Sequence, residues 1–183
     1  MSERTLSDAP IPPAKLAHLV IRTAKFDDAK AWYQTVLGAR IVFEAPFIAF
    51  LTYDDEHHRV ALLNTPTAAA AVPGSAGVDH VAFTFVDIGA LLSTYRRLER
   101  AGILPYWCIN HGPTTSLYYR DPDGLQVELQ IDNFEHQDDL RRWAATGAFA
   151  RNPIGVEFDP DELCRRYLAG ELEHSLRVGA IDS

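Results

Sequence analysis

The sequence predicts an α+β fold: two βαβββ modules paired into a curved mixed sheet around a metal cavity, followed by a C-terminal helical tail. Three observations predict it. The order strand, helix, strand, strand, strand occurs twice. The first strand of each copy carries a matching segment, Ala17-His18-Leu19-Val20-Ile21 and Asp79-His80-Val81-Ala82-Phe83, so His18 and His80 hold equivalent places. The second copy ends in a hairpin, with strands through Ser116–Arg120 and Leu125–Ile131 and a tip at Asp121-Pro122-Asp123-Gly124. There Pro presets φ at the second turn position and Gly closes the fourth.

Residues 1–14 are polar and Pro-rich and read as a flexible arm without the apolar core of a signal peptide. Lys15–Thr23 alternates as a strand. Phe26–Leu37 is predicted helical, with Asp27 and Asp28 complementing the dipole at its start. Ala29, Trp32, Tyr33, Val36 and Leu37 form its apolar stripe, and Gly38 caps it. Strands follow at Ala39–Glu44, Phe47–Tyr53 and Arg59–Asn64, then an Ala-, Thr- and Pro-rich linker at Thr65–Gly74. The second copy runs through a strand at Gly77–Val86 and a helix at Ile88–Ala101 ended by Gly102. Strands at Leu104–Asn110, Thr115–Arg120 and Gln126–Asp132 complete it.

Modules at 15–64 and 77–132 thus form one domain, and 133–183 is an extension too short for its own core. The extension carries helices at His136–Ala145 and Asp159–Ala169. Asp159 is the N-cap of the second and Pro160 its first residue. Asn152–Val156 reads as a turn or extended piece, and disorder is expected from about Glu173. The extension is expected to pack on the sheet or across a subunit interface, which favours a homo-oligomer.

The chain has 183 residues, 47% apolar, enough for one core. A net charge of −8 argues against nucleic acid or an anionic membrane surface as partner. No apolar run reaches the ~20 residues of a membrane helix. Two cysteines make no disulfide framework, which suits a reducing cytoplasm.

Glu128 stands inside an apolar strand, between Val127 and Leu129. It either faces solvent or, if buried, needs an ion or a partner. His18 and His80 supply that partner if the two sheets curve around one cavity. Two imidazoles and a carboxylate on one side of a metal, with the other side open, are the arrangement of non-haem Fe(II) oxygen chemistry.

Ile109-Asn110-His111, Leu117-Tyr118, Asp121-Pro122, Gly124 and Glu128 together resemble the signature of type I extradiol ring-cleavage dioxygenases. These belong to the vicinal-oxygen-chelate superfamily, with glyoxalase I and bleomycin-resistance proteins. The resemblance covers about residues 14–132 and implies a short form with a single pair of modules. It implies that Glu128, His18 and His80 are the metal ligands. Glu56-His57-His58-Arg59-Val60-Ala61-Leu62 resembles the segment that supplies the family's acid/base, which implies that role for His58. Tyr118 would hydrogen-bond the substrate oxygen, with His111 beside it.

The implied reaction is cleavage of a catechol ring by O2 with Fe(II) as cofactor, Mn(II) being the second choice. A 2,3-dihydroxybiphenyl-like diol, an alkylcatechol, a polycyclic diol and a steroid-derived diol are all compatible with the sequence. Trp107, Phe50, Leu117 and Phe83 are the candidate pocket lining. Rival readings are a glyoxalase-type lyase or isomerase, and a non-catalytic small-molecule binding protein. One parity expectation bears on the site. A plain hairpin with Arg120 opposite Leu125 pairs Tyr118 with Val127 and turns Glu128 to the other face, so both share a cavity only across a bulge.

Overall fold

Two short open sheets, each with one long helix on one face, follow from the doubled pattern. The computed structural model describes residues 9–69, 72, 74 and 76–177. The first sheet holds β1 (Leu19–Thr23), β2 (Arg40–Ala45), β3 (Ile48–Thr52) and β4 (Val60–Asn64) in the order β1-β4-β3-β2. The second holds β5 (His80–Thr84), β6 (Trp107–Asn110), β7 (Thr114–Arg120), β8 (Gln126–Asp132) and the two-residue β9 (Val156–Glu157), in the order β5-β8-β7-β6-β9. Both are mixed: β1 pairs parallel with β4 and β5 with β8, and the other pairings are antiparallel.

Alternation decides which face is core. In the first sheet Ile21, Val60, Leu62, Ala49 and Leu51 are buried together with Ala29, Tyr33 and Val36 of α1 (Phe26–Leu37). In the second, Leu117, Tyr119, Val127, Leu129 and Ile131 are buried with Ile88, Leu91, Leu92, Tyr95 and Leu98 of α2 (Ile88–Arg100). Helix α1 ends at Gly38, whose φ of 63° suits glycine at a left-handed cap. Helix α2 ends one residue earlier than its sequence suggests. Its C-cap is Ala101, and Gly102 follows it at φ 75°.

The turn at 121–124 also joins the modules. The Tyr33 hydroxyl donates to Asp121 Oδ2 at 3.0 Å, the Ala24 amide to Asp123 Oδ1 at 3.3 Å, and Thr23 Oγ1 to Asp123 Oδ2.

Strands β1 and β5 are shorter than the sequence suggests, so His18 precedes β1 and His80 opens β5. Residues 9–14 are exposed and lie outside helices and strands; the rest of the predicted arm falls outside the described residues, as does part of the Ala-rich linker. The extension forms α3 (Gln137–Ala145), α4 (Ala148–Arg151), β9, α5 (Pro160–Leu168) and α6 (Glu173–Arg177). Asp159 caps α5, accepting from the Asp161 amide at 2.9 Å, with Pro160 at its first position. The disorder expected from Glu173 is corrected for 173–177, where Leu176 is 3% exposed and anchors α6 in the core; residues 178–183 fall outside the described ones. The extension packs on its own chain: β9 pairs with β6, and Leu163 and Cys164 of α5 are buried in the core cluster.

Candidate active site

The register of the second sheet gathers the chemistry. Tyr118 pairs directly with Glu128, because Arg120 lies opposite Gln126 and the loop runs from Asp121 to Leu125. The Asp121 amide donates to the Leu125 carbonyl at 2.9 Å, closing that five-residue loop. The expected bulge is therefore absent from this pair. The loop is one residue longer than a plain reading of the turn, and that single residue brings both side chains to one face. On the other side of β8, Ala82 of β5 lies beside Glu128, and Trp107 of β6 lies opposite Tyr118. Ala82, Glu128, Tyr118 and Trp107 thus form one row across four strands.

Glu128 is 4% exposed, so the solvent-facing alternative is ruled out. Its Oε2 lies 3.1 Å from His80 Nε2. Asp79 holds the opposite ring nitrogen of His80, with Nδ1 to Oδ2 at 2.8 Å. His111 Nε2 lies 3.0 Å from the Tyr118 hydroxyl. Burial, then the charge of Glu128, holds that hydroxyl in its neutral form. Trp107 packs on Tyr118 with ring centres 5.0 Å apart.

The first sheet supplies a second cluster. His18, His57 and His58 present donor atoms within 4.8 Å of one another. His58 stacks on Phe50 of β3, ring centres 4.4 Å apart and planes 12° apart, and His18 sits 4.3 Å from the His58 ring. Burial, then the neighbouring His18 and His57, holds His58 below the usual histidine range. Among the described residues this is the three-donor group that meets the 4.8 Å spacing, so His18 lies with His57 and His58 while His80 lies with Glu128. The structure therefore groups the six expected residues as two sets: His18 with His58, and His80, Glu128, Tyr118 and His111.

The repeat explains why a single carboxylate serves two modules. The β1–β4 and β5–β8 registers superpose His18 on His80 and Ala61 on Glu128, so the first copy has a methyl group where the second has an acid. Of the four pocket candidates, Phe50 and Trp107 lie against site histidines or Tyr118. Leu117 is a correction: it is fully buried, turned by alternation to the core face. Phe83 also packs against the core, with its ring centre 5.9 Å from that of Tyr53 and the two planes near perpendicular.

Two contributors were not expected from sequence. His57 joins the histidine cluster, and the Ile154 carbonyl lies 2.5 Å from His111 Nδ1. The doublet 57–58 signals the first. The second is a backbone group, for which no residue type is a signal.

Comparison with known proteins gives consistent matches. The family model described as Glyoxalase/Bleomycin resistance protein/Dioxygenase superfamily matches residues 15–129. The chain is 50% identical over 147 residues to biphenyl-2,3-diol 1,2-dioxygenase 2 of Rhodococcus globerulus, covering 80% of this chain and 77% of that protein. It is 43% identical over 168 residues to biphenyl-2,3-diol 1,2-dioxygenase 3 of the same organism, covering 91% and 88%. Among solved structures, a lactoylglutathione lyase from Agrobacterium tumefaciens matches with TM-score 0.54 at 24% identity, covering 66% of this chain and 96% of that one. A glyoxylase/bleomycin resistance protein/dioxygenase domain from Frankia sp. EAN1pec matches with TM-score 0.59 at 16% identity, covering 70% and 99%. These two show the fold alone.

Proposed function

We propose, for a chain that belongs to the glyoxalase/bleomycin resistance protein/dioxygenase superfamily and is an extradiol ring-cleavage dioxygenase, that it opens a 2,3-dihydroxybiphenyl-like catechol at a ferrous ion held by His18, His80 and Glu128. The relatives' names describe oxygenation at the 1,2 bond of a 2,3-diol, the bond just outside the two hydroxyls. The observation that carries the reading is the buried Glu128 carboxylate on the face it shares with His80 and Tyr118. A carboxylate taken out of water needs a cation, and the His80 imidazole 3.1 Å away offers a second donor for a divalent one.

The donor set fits Fe(II): two neutral imidazoles and one carboxylate, with Asp79 fixing the ring orientation of His80. His18, exposed and beside His57 and His58, would be the third donor of the set. A ferrous ion held by these residues would supply Lewis acidity toward the diol and a redox path to O2. The remaining work falls to the chain. His58, seated on Phe50, accepts a hydroxyl proton and later returns one, which suits an imidazole near neutrality. Tyr118 keeps its proton and donates it to His111 Nε2, which leaves its oxygen turned to accept a hydrogen bond from a substrate hydroxyl, and His111 holds Tyr118 in that orientation. Phe50 and Trp107 supply flat apolar surface for an aromatic ring.

The test is anaerobic loading with Fe(II), followed by 2,3-dihydroxybiphenyl in air. A yellow ring-opened product with matching O2 uptake supports the reading, and iron-loaded enzyme that consumes no O2 overturns it. Mn(II) loaded in parallel decides between the two metals. A second reading has its own observation, because three imidazoles are already gathered at His18, His57 and His58. If that cluster holds the metal instead, His57→Ala abolishes binding and Glu128→Gln spares it. Free Cys108 and Cys164 suit the cytoplasm. A homo-oligomer is the expected assembly, which light scattering of the purified protein checks.

A further inference from the structure

The C-terminal extension reaches the site at His111. β9 pairs with the edge of β6, Glu157 with Ile109 and Val156 with Asn110. Trp107 Nε1 donates to Glu157 Oε1 at 2.7 Å, holding that edge from the side-chain level as well. The turn before β9 closes on itself through Asn152. Its Nδ2 donates to the Gly155 carbonyl at 2.8 Å, and its Oδ1 accepts from the Gly155 amide at 2.9 Å. Gly155 has φ 114°, and a Cβ built there would lie 2.2 Å from the Asn110 carbonyl and 2.8 Å from His111 Cα. The turn is thus seated directly on the His111 backbone, where any side chain would push it away.

This seating places the Ile154 carbonyl 2.5 Å from His111 Nδ1. A carbonyl oxygen only accepts, so Nδ1 carries the proton in this contact. In a neutral ring Nε2 is then a bare acceptor, and it lies 3.0 Å from the Tyr118 hydroxyl. On the far side, Trp143 of α3 lies against Gly112, where a Cβ would meet its ring at 2.3 Å. The extension therefore packs on both neighbours of His111 in the chain, Asn110 and Gly112.

We propose that the Asn152–Gly155 turn is a positioning device for the reaction: its Ile154 carbonyl fixes His111 in the Nδ1–H tautomer and so aims a proton acceptor at Tyr118, with Asn152 as the side chain that shapes the turn. This rests on the role given to His111 under the proposed function. Outer partners that fix a histidine's tautomer matter to turnover without touching the substrate, by about 10–100-fold where they have been removed around metal sites.

Asn152→Ala in the full-length, iron-loaded enzyme tests it. Asn152 is exposed, so the substitution removes two turn hydrogen bonds and little packing. We expect kcat to fall about tenfold with KM and iron content unchanged. Asn152→Asp keeps the acceptor for the Gly155 amide and restores part of the loss. In a His111→Ala background, Asn152→Ala costs nothing further, because the two act through one interaction. An undiminished loss in that background overturns the proposal.

Nitrogen-15 NMR of the histidine rings in the wild-type, zinc-loaded chain reads the tautomer without any catalysis. Nδ1 protonated and Nε2 bare on His111 is the expected result, and the reverse assignment overturns the device even if Asn152→Ala fails to fold. A fully active His111→Ala enzyme overturns both the role of His111 and the kinetic effect of the turn. Absence of dioxygenase activity in the wild type, with the tautomer as expected, marks failure of the functional reading instead.

Discussion

Glu128 is where the local sequence and the fold disagree, and that disagreement points to function. The core face of β8 carries Val127, Leu129 and Ile131 at 0–1% exposure, and on its other face Glu128 is buried between half-buried Gln126 and Gln130. A buried acid there persists when something positive repays its lost hydration. Glu128→Gln keeps the shape and removes the charge. We expect the bound iron to fall to background and turnover to drop by more than about a hundredfold, beyond what loss of an outer partner causes. Metal analysis beside an oxygen electrode reads both. His58 makes the complementary case. His58→Gln is expected to leave iron content intact and lower kcat by about 10²–10⁴-fold, the range for losing a positioned acid/base. Full activity in that variant removes His58 from the mechanism. Both residues were legible in the sequence, one by its odd place in an apolar strand and the other by the histidine doublet. The gathering of His18 with His57 was not, because it depends on how far β1 stops short of its predicted start, and strand ends carry no sharp residue signal.

At the scale of elements the hairpin decides the site, and its register hangs on one loop residue. The sequence marked the turn residues correctly, yet counting from the Asp-Pro-Asp-Gly tip put Glu128 on the wrong face, because Leu125 reads as strand and serves as loop. Asp121 explains the longer loop. Its Oδ1 accepts from the Asp123 amide at 3.0 Å and the Leu125 amide at 2.8 Å, and its Oδ2 from the Tyr33 hydroxyl. Burial raises the Asp121 carboxyl above the ordinary value of 3.8, and nearby Asp123 adds to the rise; the two amides and Tyr33 oppose it. A raised pKa in the fold means that the native state holds this proton longer than the unfolded chain. The Asp121 contribution to stability therefore declines as pH climbs from about 4 through the raised value. Asp121→Asn retains an acceptor for the loop amides and has no proton to lose. It is expected to flatten this part of the stability profile, measured as urea midpoints across pH 4–7. An unchanged slope in Asp121→Asn shows that the carboxyl titrates alike folded and unfolded.

At the scale of the whole molecule, the two copies repeat in sequence but divide the work. The first gives Ala61 where the second gives Glu128, so neither module holds the donor set alone. Their relative placement then becomes part of the site, and it is fixed by groups on the helix side of the sheets. Arg97 of α2 reaches the end of α1 and donates to the carbonyls of Thr35 and Val36, the latter at 3.3 Å. These lie in the last turn of α1, whose final carbonyls have no helical donor, and that turn lacks a basic residue of its own. The repeat pattern made the two modules legible. It gave no sign of this bond, because an arginine on a helix face reads as solvated charge until the partner helix is placed beside it. Arg97→Ala is expected to cost about 1.5–3 kcal/mol, the range for hydrogen bonds to a charged group. The loss should appear as a lower urea midpoint with an unchanged m-value. If module placement also governs the site, the variant weakens iron retention on dialysis while leaving His58 and Tyr118 chemically intact. Equal iron retention at a lowered urea midpoint would show that α1 and α2 hold the fold together without setting the distance between the donors.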